Sequence, residues 1–247
     1  MRLTSKTNDL IKLNTLKLIV ILLISCLAAS AQNSYYRPFS FGVGYGVTIA
    51  SAGEETLTSA NAAEVNFNYH FTPFVSLSLS GQFGQLTGGD FANDTYGKQF
   101  INDYTAVFVY FDLQAGEFID YEHSQFLNGL KNVHVGVGMG FMANNITSIN
   151  LINKVDGSTL TYIKNSPNFV VPLRVGYEFK IFNRYDEPQL RFDINYSFNT
   201  AFGTGLDGYT SIYSHSFINF YNYFSVGLKY CFGPVRSYRK QIYYSNF

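Results

Sequence analysis

The feature that most constrains this chain is a two-residue alternation of apolar and small or polar side chains, clearest over 219–232. Successive side chains of a strand point to opposite faces of the sheet, so this alternation predicts one long strand with one apolar face. That face stays apolar to its last residue and ends in two aromatic side chains. It carries Phe220, Phe224, Val226, Leu228, Tyr230 and Phe232.

The same alternation recurs along the chain and predicts an all-β fold with eight strands. The apolar faces carry almost no charge, and the opposite faces carry Gly, Ser, Asn and a few charged residues. Most segments have roughly 10–12 residues, which matches the length that a tilted strand needs to cross a bilayer. The other seven predicted strands are 39–50, 64–71, 74–85, 103–113, 133–142, 168–180 and 189–200.

Composition decides what the apolar faces contact. Charged residues make up 14% of the chain, against about 25% in an ordinary soluble domain. Outside the N-terminal region the chain has no apolar run long enough for a membrane helix, which excludes a helical bundle. A closed barrel is the other structure that spans a bilayer. A soluble β-sandwich or barrel also gives alternating strands, but the uncharged apolar faces favour an eight-stranded antiparallel up-and-down transmembrane β-barrel.

The N-terminal region has the pattern of a secretory signal peptide over residues 1–31. A basic start precedes an apolar run and the small-residue site Ala29-Ser30-Ala31. A competing interpretation is lipoprotein processing at Cys26, because Leu23-Ile24-Ser25-Cys26 is similar to a lipoprotein cleavage box. The predicted organisation is a signal peptide at 1–31, a barrel at 32–232 and a periplasmic C-terminal tail at 233–247.

Connection lengths sort onto two sides of this barrel. An even strand number places both chain ends on one side, and the signal peptide makes that side the periplasm. The connection 115–132 is long for the periplasmic side, and its apolar spacing predicts a short helix ending near Asn128-Gly129. The predicted outer loops are 51–63, 86–102, 143–167 and 201–218, and the predicted periplasmic turns are 72–73 and 182–188.

Aromatic residues gather at the strand ends on the periplasmic side, which predicts one girdle of an aromatic belt at the membrane surface. The predicted girdle consists of Phe39, Phe71, Phe74, Phe179, Phe192, Tyr230 and Phe232.

The segment 225–232 has the pattern polar-x-Gly-x-x-aromatic-x-aromatic, formed by Ser225, Gly227, Tyr230 and Phe232. It resembles the terminal strand motif by which barrel-insertion machinery recognises outer-membrane barrels. The chain up to Phe232 is similar in pattern to the eight-stranded outer-membrane barrel family typified by the OmpA transmembrane domain. This resemblance implies a Gram-negative bacterial outer-membrane location, with lipid, lipopolysaccharide and the insertion machinery as partners.

One departure from that family concerns the residues after the barrel. OmpA carries a peptidoglycan-binding domain there, whereas 15 residues come after Phe232 in this chain. We therefore do not expect this chain to inherit the anchoring function.

Charged side chains on the inward faces predict a network inside the lumen. Its members are Arg174, Glu178, Arg191, Asp193 and Lys229, with Glu64 and Asp112 on the same faces. Buried charges persist when they are paired, so the network is either a satisfied polar plug or a gate across a narrow, porin-like pore.

No catalytic set, metal site or cofactor site is predicted. The four histidines lack a metal-ligand spacing. Ser214-His215-Ser216 could suggest a lipid-modifying enzyme, but no acid stands nearby to complete a hydrolase triad. The chain has 17 basic and 17 acidic residues, and this balance does not suggest the basic surface that a nucleic-acid-binding protein needs. Cys231 falls on the inward face as a small filler.

Three functions remain open. The first is a non-enzymatic outer-membrane barrel with a structural, scaffold or narrow-pore role. The second is an accessory subunit of an envelope secretion or assembly complex, suggested by the connection 115–132 and the basic tail with Arg236, Arg239 and Lys240. The third is a lipid-modifying enzyme that depends on His215.

Overall fold

The structure is a computed structural model that describes residues 34–51, 57–122, 124–209 and 217–240. The predicted signal peptide with Cys26, the Ser214–Ser216 stretch and the end of the tail lie outside the described residues. Those expectations therefore stay predictions.

Eight strands, each paired with its neighbours in sequence, form a closed barrel, and a short two-stranded sheet lies at one end. The barrel strands are β2 (Phe39–Ser51), β3 (Ser59–His70), β4 (Val75–Gly89), β5 (Gln99–Gln114), β6 (Val133–Ile149), β7 (Asn165–Phe182), β8 (Pro188–Phe202) and β9 (Ile218–Phe232). The short strands are β1 (Ser34–Tyr36) and β10 (Arg236–Tyr238).

Closure depends on the antiparallel seam between β2 and β9. Phe39 pairs with Phe232 at one end of the seam, and Ser51 pairs with Phe220 at the other. Closure leaves no sheet edge unpaired around the barrel. The predicted all-β, eight-stranded up-and-down barrel is confirmed. We call the end with Phe39 and Phe232 the termini end and the opposite end the loop end.

The barrel wall is apolar outside and mostly polar inside. Val43, Leu79 and Val226 are exposed on the outer surface, whereas Asn68, Ser80 and Ser225 are buried inside. The predicted inward and outward positions are confirmed on all eight strands. An apolar outer wall is what a bilayer-spanning barrel requires.

Toward the loop end the strands are longer than predicted. β4 continues to Gly89, β5 already begins at Gln99, and β6 continues to Ile149. In these extensions polar side chains also occupy the outer face: in β6, Asn145 points outward and Ile146 inward. The prediction relied on an apolar outer face, so it ended each strand where that face becomes polar. The loops 51–63, 86–102 and 143–167 were therefore predicted too long.

The connection after β5 contains a 3₁₀ turn, Ala115–Glu117, and one helix, α1 (Gln125–Leu130). Ser124 caps the helix by accepting a hydrogen bond from the Leu127 N–H at 3.4 Å. The predicted short helix is confirmed. No helix in the described part of the chain is long and apolar enough to cross a bilayer.

Phe74 does not belong to the outer aromatic girdle. It is 3% exposed and packs at the termini end against Tyr121 and Tyr238, with ring centroids 5.5 and 6.0 Å away. Its backbone carbonyl accepts a hydrogen bond from Gln114 N at 2.8 Å, which places it below the start of β4. The girdle prediction was wrong for Phe74 because the turn before β4 folds under the barrel.

Candidate functional site

A cluster of charged side chains fills the lumen toward the termini end, and Glu178 lies at its centre. Arg191 Nη1 donates to Glu178 Oε1 at 2.9 Å, and Lys229 Nζ is 3.6 Å from Glu178 Oε2. Lys229 Nζ also lies 3.5 Å from Asp193 Oδ1. These four residues come from β7, β8 and β9, so the cluster joins the lumen faces of three adjacent strands. We call it the charged cluster.

The structure places Arg174 in a separate pair with Asp112. Arg174 Nε donates to Asp112 Oδ1 at 2.7 Å, and Nη2 makes a second bond to Oδ2. The guanidinium also stacks 4.0 Å from the centroid of Tyr110. A two-point arginine–carboxylate pair of this kind fixes both side chains.

Glycines opposite the charges make the room that these pairs need. A Cβ at Gly136 would overlap Asp112 Oδ1, and a Cβ at Gly227 would lie 2.9 Å from Asp193 Oδ1. The glycine faces of the strands therefore accommodate the buried charges.

Three side chains that complete this region were left out of the predicted charge network, although the sequence did place His70 on an inward face. Gln114 Nε2 donates to Glu178 Oε1 at 2.9 Å, and Lys180 Nζ donates to Gln114 Oε1 at 2.8 Å. His70 Nε2 lies 2.9 Å from Ser40 Oγ. Lys180 has the same strand parity as Glu178, and Gln114 has the same parity as Asp112, so parity alone could have identified both.

The charged cluster acts as a noncovalent crosslink, because its ion pairs join side chains of β7, β8 and β9. Arg191 is fully buried and also contacts the Cys231 thiol, 3.2 Å from Nε. The carboxylates of the cluster face cations and amides, an arrangement that stabilises charge. Among the described residues, no group of three or more His, Cys, Asp or Glu side chains is placed to hold a metal ion.

Toward the loop end the lumen is filled by an apolar core. It is rich in aromatic side chains from β5 and β9, and its members are Ala50, Ala62, Leu86, Phe100, Tyr104, Ala106, Phe108, Tyr110, Met142, Val170, Ala201, Leu206, Tyr221 and Tyr223. We call this set the apolar core.

The segment 203–209, which comes after β8, folds over the apolar core. Leu206 is fully buried, and its carbonyl accepts a hydrogen bond from Asn102 Nδ2 at 2.9 Å. Gly205 and Gly208 have φ angles of +88° and +80°, which only glycine adopts without strain. Tyr209 fastens the segment by donating to the Asn150 carbonyl at 2.7 Å. The loop end is therefore covered.

The predicted insertion-signal residues occupy both faces of β9. Ser225 and Gly227 point into the lumen, and Tyr230 is exposed on the outer wall. The Phe232 ring stacks on Phe39 across the seam, with centroids 5.8 Å apart. The signal pattern thus coincides with the strand that closes the barrel.

An end cap closes the termini end. We define it as β1, the described part of the connection 115–131, and residues 236–240, which include β10. Tyr238 donates to Glu117 Oε1 at 3.1 Å, and Lys240 Nζ donates to the Gly116 carbonyl at 3.0 Å. The connection and the start of the tail therefore pack together.

One aromatic ring joins the two parts of the end cap. The Nζ atoms of Lys131 and Lys240 lie 5.1 and 5.3 Å from the centroid of the Tyr121 ring. A cation over the face of an aromatic ring is attracted to it electrostatically. Tyr121 thus holds one lysine of the connection and one lysine of the tail.

Burial changes the acid–base behaviour of the end cap. It lowers the pKa of Lys131 and Lys240 and raises the pKa of Tyr238, whose hydroxyl also faces the Glu117 carboxylate. The cap therefore disfavours additional charge.

An ion pair beside the cap joins the N-terminal segment to the β7–β8 turn. Arg37 Nη2 donates to Glu187 Oε2 at 2.7 Å. Hydrogen bonds from Asn183 and then Arg37 lower the pKa of Glu187, because they stabilise its carboxylate form.

A closed eight-stranded barrel with an apolar wall and a filled interior defines the class of small transmembrane β-barrels. No protein-family model and no curated protein matches the sequence.

Three solved structures are similar to this chain in fold. Neisserial surface protein A is 11% identical, with 79% of this chain and 97% of that chain covered and a TM-score of 0.45. Ail, the attachment invasion locus protein of Yersinia pestis, is 13% identical, with 81% and 100% covered and a TM-score of 0.41. The N-terminal β-barrel domain of Pseudomonas aeruginosa OprF is 12% identical, with 78% and 98% covered and a TM-score of 0.38. Similarity at this level carries no functional argument.

Proposed function

We propose that this protein is an integral outer-membrane barrel with a structural or scaffold role and no catalytic activity. The apolar outer wall supports insertion in a bilayer. The termini end has the short turns and the loop end has most of the long connections, which fits a periplasmic termini end and an extracellular loop end. Outer-membrane lipid and lipopolysaccharide are then its surroundings.

The observation that carries the scaffold role is the filled lumen. The charged cluster and the Arg174–Asp112 pair occupy the lumen toward the termini end, and the apolar core and the segment 203–209 occupy the loop end. Ion flow needs a continuous path of water. A scaffold role is therefore favoured over the narrow pore that the sequence left open.

Conductance and gel mobility together test this proposal. The folded protein should migrate differently before and after boiling, and it should give no current steps in a planar phosphatidylcholine bilayer. Steady single-channel currents would favour the pore. A detergent-independent soluble monomer would overturn membrane insertion itself.

A second candidate function is that of an accessory subunit of an envelope secretion or assembly complex. The end cap supports it, because β1 and β10 border a cleft of about 470 Å³ lined by Tyr35, Ser237, Tyr238 and Arg239. A native pull-down with mass spectrometry would test it. A partner should be retained by the Leu79→Ala variant of the outer wall and lost on Tyr35→Ala.

The lipid-modifying alternative depends on His215, which lies outside the described residues.

Recognition by the insertion machinery gives a further expectation. The aromatic side chain that ends β9 should matter for insertion, so Phe232→Ala should remove most of the protein from the membrane fraction in cells. Phe224→Ala, on the same strand and face, is the matched control and should insert. Lys229→Ala should also insert, because Lys229 points into the lumen. Equal insertion of Phe232→Ala and Phe224→Ala would refute this role for 225–232.

A further inference from the structure

The connection 115–132 exposes apolar side chains although it is folded. Phe118 is 72% exposed and Phe126 is 74% exposed, whereas Tyr121 between them is buried. Exposed apolar patches of this kind mark contact surfaces. The connection therefore presents apolar side chains at its surface.

Helix α1 is joined to the outer wall of the barrel by a hydrogen bond. Tyr177 faces outward on β7, and its hydroxyl donates to the Gly129 carbonyl of the helix at 2.9 Å. The Tyr177 ring lies 4.6 Å from the Phe179 ring, also on the outer wall. Phe126 and Leu130 are four residues apart and so share one face of α1, and both are exposed.

Strand register gives the height of α1 on the barrel. β6 begins at Val133, opposite Tyr177, while β7 continues to Phe182. Beyond Tyr177 the outer face of β7 still carries Phe179 and the exposed Ile181. The connection runs beside this stretch, since Glu178 N donates to the Asn132 carbonyl at 3.1 Å. Helix α1 therefore lies at a height where the barrel wall still faces lipid.

The other side of the connection is fixed to the end cap. Lys240 Nζ donates to the carbonyls of Gly116 and Ile119, and Glu117 accepts a hydrogen bond from Thr72 at 2.8 Å. These bonds hold the polar side of the connection under the barrel and leave its apolar side chains exposed.

We propose that residues 118–122 and 124–130 form an interfacial foot whose apolar face enters the phospholipid leaflet at the termini end. This proposal rests on the membrane location proposed above. The lipid contact continues the apolar wall of β7, and the foot anchors the barrel at a fixed depth as an in-plane amphipathic segment does. Asp120 and Glu122 lie in the same connection, so binding needs no anionic lipid.

Single-tryptophan variants of the full chain test the foot, because the chain contains no Trp. The variant Phe126→Trp reports on the foot, and Phe192→Trp on the outer wall is the lipid reference. Val155→Trp, exposed in the β6–β7 connection, is the water reference. Each variant is folded into phosphatidylcholine vesicles with or without lipid brominated near the headgroup.

Brominated lipid should quench the fluorescence of the foot variant and of the lipid reference, and it should leave the water reference bright. Aqueous iodide should quench the water reference most strongly. If lipid quenches the lipid reference while iodide alone quenches the foot variant, the foot is overturned and the barrel proposal stays intact. Failure of lipid to quench the lipid reference overturns membrane insertion.

A protein partner on the same surface gives a different result. Shielding of the foot variant only after addition of an envelope extract assigns the surface to a protein and overturns the lipid contact. Phe118→Trp repeats the measurement if Phe126→Trp does not fold.

Discussion

The two halves of the lumen are filled by different chemistry. Toward the termini end, Arg191, Glu178 and Lys229 are buried and joined by ion pairs. Toward the loop end, side chains such as Phe108 and Tyr221 pack with few polar contacts. The outer wall differs as well, because it becomes polar near the loop end, where β6 presents Asn145. The inside is thus mainly apolar toward the loop end and charged toward the termini end, and polar side chains join the outer wall only near the loop end.

This difference teaches where the barrel is sensitive to substitution. A buried charge loses its compensation when a single partner is removed, and the penalty falls on every group that shared that partner. An apolar core loses only the contacts of the atoms that are removed, together with the cost of the cavity. Single substitutions should therefore cost more in the charged half than in the apolar half.

The largest effect is expected at the centre of the charged cluster. Glu178→Ala leaves Arg191 and Gln114 without their shared acceptor and should lower the free energy of unfolding by about 3–5 kcal/mol. Urea unfolding in detergent micelles measures this. Asp103→Ala removes a half-buried acid on β5 that accepts one hydrogen bond from Gln85, and it should cost about 1 kcal/mol or less. Equal losses would show that the cluster is not a crosslink.

In the apolar core, Leu86→Ala should cost about 3 kcal/mol, because Leu86 is fully buried and its neighbours relax only in part. The loss should not change with salt concentration in the same urea titration. Leu79→Ala, on the outer wall of the same strand, is the control and should cost less. A larger loss for Leu79 would contradict the assignment of inside and outside.

Space beside the charges should be limited. Gly136→Ala pushes a methyl group into Asp112 and should cost about 1–3 kcal/mol through overpacking. Gly44→Ala is the matched change on β2, where the nearest atom lies 3.4 Å from the new Cβ, and it should be nearly neutral. Thermal unfolding followed by circular dichroism compares the two. Similar melting temperatures would mean that the Arg174–Asp112 pair can move.

The smallest effect is expected for a hydroxyl in the apolar core. Tyr104 is buried, and its hydroxyl has no hydrogen-bond partner among the described residues. Tyr104→Phe should therefore change stability by about 0.5 kcal/mol or less, or increase it, in the same urea titration. Tyr209→Phe removes a hydroxyl that bonds to the Asn150 carbonyl and should cost about 1 kcal/mol. A clear loss at Tyr104 would reveal a polar partner inside the core.

The sequence predicted the barrel because alternation is a local property of each strand. It predicted the end of each strand less well, since β6 continues from Ala143 to Ile149 with polar residues such as Asn145 on the outer face. A search for apolar outer faces stops where such polar residues begin. The girdle prediction placed Phe74 outside from its position at a strand end, although its parity is that of the inward-facing Ser78 and Ser80.

For the charged cluster, parity predicted which side chains enter the lumen and could not predict which of them meet. Arg174 and Arg191 both point inward, yet Arg174 pairs with Asp112 on β5 and Arg191 pairs with Glu178 on the neighbouring strand. Pairing depends on register and on the stagger of the strands, which a single sequence does not give. The sequence did not predict the end cap either, because its contacts join residues that are far apart in the chain.

The small sheet of β1 and β10 lies just outside the seam of the barrel, where Tyr35 pairs with Ser237. While the barrel is open, pairing two segments this far apart in sequence costs chain entropy, because a long loop has to close. Once β2 and β9 have joined, that entropy is already lost, and the two segments meet at little further cost. The β1–β10 pair therefore forms last and opens first. A disulfide between cysteines placed at Tyr35 and Ser237 would therefore form only after the barrel has closed.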